Sequence, residues 1–501
     1  MTIRLISKNS LLIFIFFISQ AAFSSTYYVA PDGNDSNLGT LEKPFKTISK
    51  VSTLVAPGDT IYLREGFYSH RSTITLNKSG SMGNYMNLWA YQGETPILDF
   101  TEGGISTSAR GIKIDGSYWS LKGLVVQNAG DNGIHITGAN NIVENVVARY
   151  NHDSGIQMHT GASFNLIINC DSYGNYDKGN NGENADGFAA KFSLGEGNMI
   201  QGCRAWNNSD DGYDFWKAGN GVTVEDCWAF RNGINVWNDP SFDGDGNGYK
   251  LGHCSGGHIL IRCVAFDHRA HGIDVNGNET GVTILNCTCY RNGKRNFNFD
   301  DSLAHKLRNN ISFDGDYRME EGIDHQYNSW NNMVVTASDF ISLDTTDVVL
   351  SRNNDGILPQ IDFLRLASDS PLIDAGVDVG LPYEGSAPDL GAFETTGSTL
   401  VFAEMTQQPM HFVLFPNYPN PFNSATIIQY SVKSPAQIKI KVYNTLGQPV
   451  KSLVDNYHVA GDFSIVWDGT NELDQTVSGG IYYCRMEAGS SFQINKMLYI
   501  K

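Results

Sequence analysis

Basic side chains are scarce in this chain: 35 Lys and Arg stand against 53 Asp and Glu, for a formal net charge of −18. That balance argues against nucleic acid and anionic membranes as partners, because a polyanion is held by clustered cations. A polyanion bridged by a divalent cation is not excluded. Charged residues of either sign make up only 18% of the 501 residues, and neither a sustained helical period nor a leucine-rich frame is present. Helical solenoids and leucine-rich repeats, which need those patterns, fall away. Glycine is abundant, at 52 residues, and with Asn, Thr, Ser and Tyr it suits short strands joined by tight turns. One ordinary core does not serve a chain of this length, so an all-β, repetitive domain with an appendage is expected.

Long hydrophobic runs are also missing, apart from Leu11 to Ile18. Arg4 and Lys8 precede that run and Ala22-Phe23-Ser24-Ser25 follows it, the layout of a secretory signal peptide over residues 1–25. The run is too short for a permanent membrane anchor. The mature chain is expected to be exported and soluble, and is read as a monomer.

Export would favour disulfides among the eight cysteines, but their placement argues for mostly free thiols. Cys170, Cys203, Cys227, Cys263 and Cys287 each end a short strand-like segment, followed five residues later by Asn175, Asn208, Asn232, His268 and Asn292. Val146 with Asn151 and Gly123 with Asn128 fit the same frame, giving intervals of 23, 24, 33, 24, 36 and 24 residues. A unit of about 23 residues is a solenoid period. Cysteines stacked one per coil act as small buried hydrophobes, and the asparagines are expected to form an amide ladder at one turn.

A second register runs through the same coils, where apolar residues flank one variable position after a glycine. The variable residues are His135, Gln157, Ala189, Asp214, Lys250 and Asp274, which strand alternation places outside. The residues just before each glycine are Asn132, Ser154, Asp186, Asp211, Asn247 and His271. A right-handed parallel β-helix fits both registers. Stacked strands lie about 4.8 Å apart, so Asp214 should neighbour Lys250, and Asp186 should neighbour Asp211. With Asp210 adjoining, four carboxylates converge on two coils, a repulsive arrangement that a hard cation resolves. Ca²⁺ tolerates such irregular oxygen geometry better than Mg²⁺.

The distance from the cysteine frame to the pre-glycine position is eight residues in ordinary coils, but 16 in the coil of Cys170 and 20 in that of Cys227. Those insertions flank the coil of Asp210, Asp211 and Asp214 and are expected to wall a groove. The second, residues 233–246, carries Trp237, Asp243 and Asp245. A calcium that merely staples the solenoid is the competing reading of the aspartates. Lys250 tells against it, since a lysine beside a cation is unfavourable unless it serves a purpose. A hydrolase would need two opposed carboxylates rather than a bunch. Lys191, Arg204, Lys217, Arg231 and Arg269 are candidate contacts for substrate carboxylates, and Trp237 for a sugar ring.

Three stretches together, Asn184-Ala185-Asp186-Gly187-Phe188-Ala189-Ala190-Lys191-Phe192, Arg204 to Lys217, and Gly246-Asn247-Gly248-Tyr249-Lys250-Leu251-Gly252, resemble polysaccharide lyase family 9, the β-helical pectate lyases. The resemblance covers about residues 26–395. It implies Asp186, Asp210, Asp211 and Asp214 as calcium ligands, Lys250 as the Brønsted base, and polygalacturonate, an acidic plant cell-wall polysaccharide, as substrate. A lyase for another uronate polysaccharide, or a noncatalytic surface β-helix with structural calcium, remains the alternative.

Beyond a linker at 396–411 the pattern changes to alternating strands over residues 412–501, which suggests a small β-sandwich. Its Pro419-Asn420-Pro421-Phe422, Tyr443-Asn444-Thr445-Leu446-Gly447, Trp467-Asp468-Gly469 and Gly479-Gly480-Ile481-Tyr482-Tyr483 resemble the C-terminal sorting domain of the type IX secretion system. That resemblance implies secretion machinery as a partner and a secreted or surface-attached product. A carbohydrate-binding sandwich is the alternative.

Overall fold

A computed structural model describes residues 24–395 except 354 and 355, and residues 412–499 except 416, 418–419, 421, 433–435, 445–448, 460, 474 and 489–490. Residues 1–23 of the expected signal peptide, the expected linker 396–411 and parts of the C-terminal motifs lie outside these residues. The chain divides into two units, Met1–Thr396 and Gly397–Lys501.

The first unit is a right-handed parallel β-helix. Its strands of mostly three to five residues stack in register into one twelve-stranded and two ten-stranded parallel sheets. Three strands per coil, rather than the minimum of two that the pattern required, close each turn of the solenoid. Such short strands have no stability alone; each is held by the coils before and after it.

Two corners of the coil require a left-handed residue. One holds Gly123, Asn145, Asn169, Gly202, Asp226, Arg262, Asn286 and Asn309, all at φ between 49° and 73°. Gly, Asn and Asp reach that region at least cost, which explains their recurrence there. Gly123 is thus a corner residue, and the frame position in its coil is Leu124, whose carbonyl accepts from Val147. Asn128 likewise sits at φ 58° and leaves the ladder position to Ala129. The first repeat is therefore one residue shorter than the sequence frame assigns.

The asparagine ladder itself is present. Asn151 Nδ2 donates to Asn175 Oδ1 at 3.0 Å, Asn175 to Asn208 at 2.8 Å and Asn208 to Asn232 at 3.0 Å. His268 continues it, its Nδ1 accepting from Asn232 N at 3.2 Å. All eight cysteines are free and buried; the amides of Cys170 and Cys203 point at the next coil's sulfur, 3.3 Å away in each case.

One ten-stranded sheet carries Ile134–Ile136, Ile156–Met158, Phe188–Ala190, Tyr213–Asp214, Tyr249–Lys250 and His271–Asp274 as successive strands. Below it, inward-facing Phe188, Tyr213 and Tyr249 stack with ring centroids 5.0 and 4.7 Å apart, nearly parallel. Alternation then turns Ala189, Asp214 and Lys250 to the outer face. Residues 340–353 and 356–393 wrap the outer face of the other ten-stranded sheet, where Phe340, Phe363 and Leu372 pack on Phe230, Phe266 and Tyr290.

The second unit has a three-stranded and a four-stranded antiparallel sheet around Ile428, Val442, Trp467, Met486 and Met497.

Candidate active site

The expected outer register is the observed one: His135, Gln157, Ala189, Asp214, Lys250 and Asp274 pair in series across adjacent strands. Asp186 and Asp211 are stacked as well, with Asp211 N donating to Asp186 Oδ1 at 3.2 Å. Asp186, Asp211 and Asp214 bring ligand oxygens within 4.8 Å of one another, as do Asp210, Asp211 and Asp245. Asp211 belongs to both groups.

Each aspartate is set by backbone. Asp210 braces both insertions, its two oxygens accepting from Asn184 N at 3.0 Å and Asp245 N at 2.7 Å. Asp211 Oδ1 accepts from Asn247 N at 2.6 Å and Asn247 Nδ2 at 2.9 Å. Its other oxygen is buried and accepts no hydrogen bond of good geometry; its ion-pair partner is the Lys250 ammonium, at 3.1 Å. Asp214 Oδ1 accepts from Trp216 N at 2.9 Å, and Asp186 Oδ2 from Ser154 Oγ at 2.9 Å.

Two lysines lie within this cluster. Lys191 Nζ is 2.8 Å from Asp186 and 2.6 Å from Asp214, its side chain 9% exposed. Lys250 Nζ is 2.7 Å from Asp245, 3.1 Å from Asp211 and 3.9 Å from Asp214. Five carboxylates against two ammonium groups leave an excess of three negative charges when all are ionised. Burial pushes the Asp211 carboxyl up to about 7, Asp214, Asp186 and Asp245 adding to the shift against Lys250. Burial likewise raises Asp186 to about 6, opposed chiefly by Lys191, while Asp210 rises through burial and its neighbours Asp211 and Asp186. Asp214 moves down: burial opposes this, but Lys191 and Lys250 outweigh it. Burial would lower Lys250 and Lys191, yet the surrounding carboxylates hold both above the ordinary lysine value.

A buried carboxylate oxygen that accepts no hydrogen bond of good geometry, in a set of oxygen ligands carrying surplus charge, fits a hard divalent cation. Asp186, Asp210, Asp211 and Asp214 are the residues able to hold it. Asp245 joins them from the second insertion and was read from sequence only as part of a substrate-contact segment.

The substrate contacts read from sequence fare unevenly. Lys191 is not a rim residue but an internal ion-pair partner; two residues past Ala189, it falls on the same outer face by strand alternation. Arg204 sits on the other ten-stranded sheet, paired with Asp171 at 2.7 Å and donating to the carbonyls of Val348 and Leu350, so it holds the wrapped C-terminal segment. Arg231, donating to Thr345 Oγ1 at 3.1 Å, does the same. Trp237 stacks on Tyr176 at 4.5 Å, while the Tyr176 hydroxyl bonds Asp239; Trp237 therefore joins the two insertions. Arg269 donates to the Gly244 carbonyl and lies 5.7 Å from the Phe242 ring centroid, propping the loop that ends in Asp245. Lys217 is an exposed cation at the rim, its Nζ 4.0 Å from the Trp216 ring centroid.

The insertions enter the site strands from one edge, and Asp243 N donating to Asn181 O at 2.8 Å ties them together. At the opposite edge the chain leaves through Phe192 and Trp216. The acidic cluster occupies the floor between.

Comparison with known proteins agrees with this architecture. Residues 27–328 match the model of the Pel9A-like, right handed beta helix region, and residues 422–491 that of the FlgD Ig-like domain. Pectate lyase L of Dickeya chrysanthemi is 41% identical over 384 residues, 74% of this chain and 90% of that protein. Pectate lyase L of Paenibacillus polymyxa is 40% identical over 382 residues, 70% and 84% of the two chains. The crystal structure of pectate lyase Pel9A superposes with a TM-score of 0.72 at 41% identity, covering 74% of this chain and 97% of that one. A rhamnogalacturonan lyase structure gives 0.63 at 27% identity, over 69% and 97%. A family match over more than half the chain, with relatives of this identity and coverage, makes the chain a member of the Pel9A-like right-handed β-helix family and a polysaccharide lyase.

Proposed function

We propose that the chain is a calcium-dependent pectate lyase that cleaves polygalacturonate by β-elimination, with Lys250 as base and Asp186, Asp210, Asp211 and Asp214 as ligands. The observation that carries this reading is Lys250 Nζ lying 3.1 Å from the otherwise unpartnered Asp211 Oδ2, beside Asp214. The proton beside a uronate carboxylate is poorly acidic, because the carbanion forms next to a negative group. Calcium bound to the aspartates and to that carboxylate would neutralise the charge and stabilise its development in the transition state. Asp211 and Asp214, once engaged as ligands, no longer hold the Lys250 proton as they do among themselves. Neutral Lys250 can then accept the proton from C5 as the C4–oxygen bond breaks.

The supporting relatives are pectate lyases, and the rhamnogalacturonan lyase match makes another uronate polymer the second reading. Incubation of polygalacturonate with and without calcium, followed by ultraviolet absorbance of the unsaturated product, tests both. Product from a different uronate polymer alone would favour the second reading, and none from any polymer would favour a noncatalytic protein.

The signal-peptide layout of residues 1–25 and the sorting-domain motifs of residues 412–501 support export, with the second unit as a type IX sorting domain and a secreted or surface-attached enzyme as the result. Deletion of residues 412–501 should then leave the protein in the periplasm; unchanged appearance outside the cell would contradict the sorting role.

A further inference from the structure

The edge of the site opposite the insertions carries a row of rings that the lyase chemistry does not use. His135 and His159 lie 5.1 Å apart, His159 and Phe192 5.0 Å, and Phe192 and Trp216 5.3 Å, centroid to centroid. His135 belongs to the floor and is buried; the other three are half-buried. The row advances one coil at a time along the solenoid axis and stops one coil short of Lys250. In the coil of Lys250 the equivalent residue is Gly252, where an added Cβ would fall 1.6 Å from the Asn276 carbonyl oxygen, so no ring fits. Burial keeps both imidazoles uncharged, pulling His135 down to about 3 and lowering His159 as well.

The last ring is tied to the cluster, because Trp216 N donates to Asp214 Oδ1. Beside it stands Lys217, exposed, its ammonium over the ring at 4.0 Å, with no acidic partner within ion-pair distance among the described residues. A neutral ring row ending in an exposed cation suits a ligand with both apolar faces and carboxylates. A polyuronate is such a ligand: the weakly positive C–H face of a pyranose matches the negative face of an aromatic ring, and its carboxylate matches the ammonium.

We propose that His159, Phe192 and Trp216, with Lys217, form a sugar-binding rail for the part of the polysaccharide that extends from Lys250 toward the N-terminal coils. This rests on the uronate lyase reading above. It makes binding asymmetric: one flank of the scissile bond rests on rings, whereas the other faces Asp274 and Asn298, which bond each other at 2.9 Å.

Two measurements test the rail. Calorimetric titration of calcium-loaded Lys250→Ala protein with saturated oligogalacturonates should show affinity rising with length, and adding Trp216→Ala should weaken the long oligomers about tenfold while sparing the shortest. In the otherwise unaltered enzyme, Lys217→Gln should raise KM for polygalacturonate about tenfold with kcat within about twofold, and Trp216→Phe should retain most of the affinity that Trp216→Ala loses. Unchanged affinity at every length would overturn the rail, as would a fall in kcat with KM constant, which would mean that these side chains act on the reacting geometry and not on affinity. If the enzyme yields no unsaturated product yet Trp216→Ala still weakens binding, the rail stands and the lyase reading fails. If it cleaves and Trp216→Ala binds as before, the reverse holds.

Discussion

Asp214 stands directly beside Lys250 in register, yet its carboxylate is held by Lys191, at 2.6 Å, rather than by Lys250, at 3.9 Å. The strand neighbour is left facing Asp211 and Asp245, while the buried pair is made with a residue from the preceding coil. Lys191 thus compensates the floor of the cluster, and Lys250 is the ammonium on its outer side.

Lys191→Met should for that reason be strongly destabilising when the protein is kept free of divalent cations. Removing one partner of a buried ion pair costs about 3–5 kcal/mol, because Asp186 and Asp214 are left uncompensated. Calcium should restore part of the loss by supplying the missing charge. Urea unfolding with a chelator and with calcium measures both; equal stability of variant and parent in chelator would show that Lys191 carries no such role.

Arg204→Ala should act on stability alone. The guanidinium is buried against Asp171 and two carbonyls of the wrapped segment, so its loss should cost about 3–5 kcal/mol and loosen residues 345–352. Under conditions where the variant remains folded, KM for polygalacturonate should stay at the parent value; a large rise would return Arg204 to the substrate contacts.

Acid sensitivity should come in part from the ladder histidines. Burial pulls His268 down to about 3, and its Nδ1 must stay unprotonated to accept from Asn232 N. The unfolded chain takes up this proton from about pH 6.5 downward and the folded chain only near the depressed value, so stability is full above about 6.5 and is lost as pH falls. At pH 5 the expected loss is about 2 kcal/mol for this group. His268→Asn, which places the ladder's usual residue there, should reduce the drop in unfolding free energy between pH 7 and pH 5 by that amount. An unaltered drop would mean that the imidazole contributes nothing to acid sensitivity.

The parallel β-helix and the outer register of the site strands were legible because two-residue alternation and a repeating coil leave periodic traces: Asp214 beside Lys250 follows from counting alone. Asp186 beside Asp211 follows the same way. What was not legible came from contacts without a period. Arg204 and Arg231 look like substrate cations in a linear motif, but the third strand of each coil turns them to a different sheet, under a segment more than a hundred residues away. Asp245 reaches the cluster only because the second insertion folds back on Asp210. Gly123 and Asn128 misplaced the first frame by one residue, since both are left-handed corner residues and only Leu124 and Ala129 occupy the frame positions.

The most direct test of the account concerns Lys250, whose ammonium faces the otherwise unpartnered oxygen of Asp211. Steady-state formation of unsaturated product from polygalacturonate with saturating calcium, comparing the parent with Lys250→Ala, reads its role. The account predicts a fall in kcat of about a hundredfold to ten thousandfold with calcium affinity and unfolding free energy largely kept. A Lys250→Ala enzyme that turns over within about threefold of the parent would contradict it.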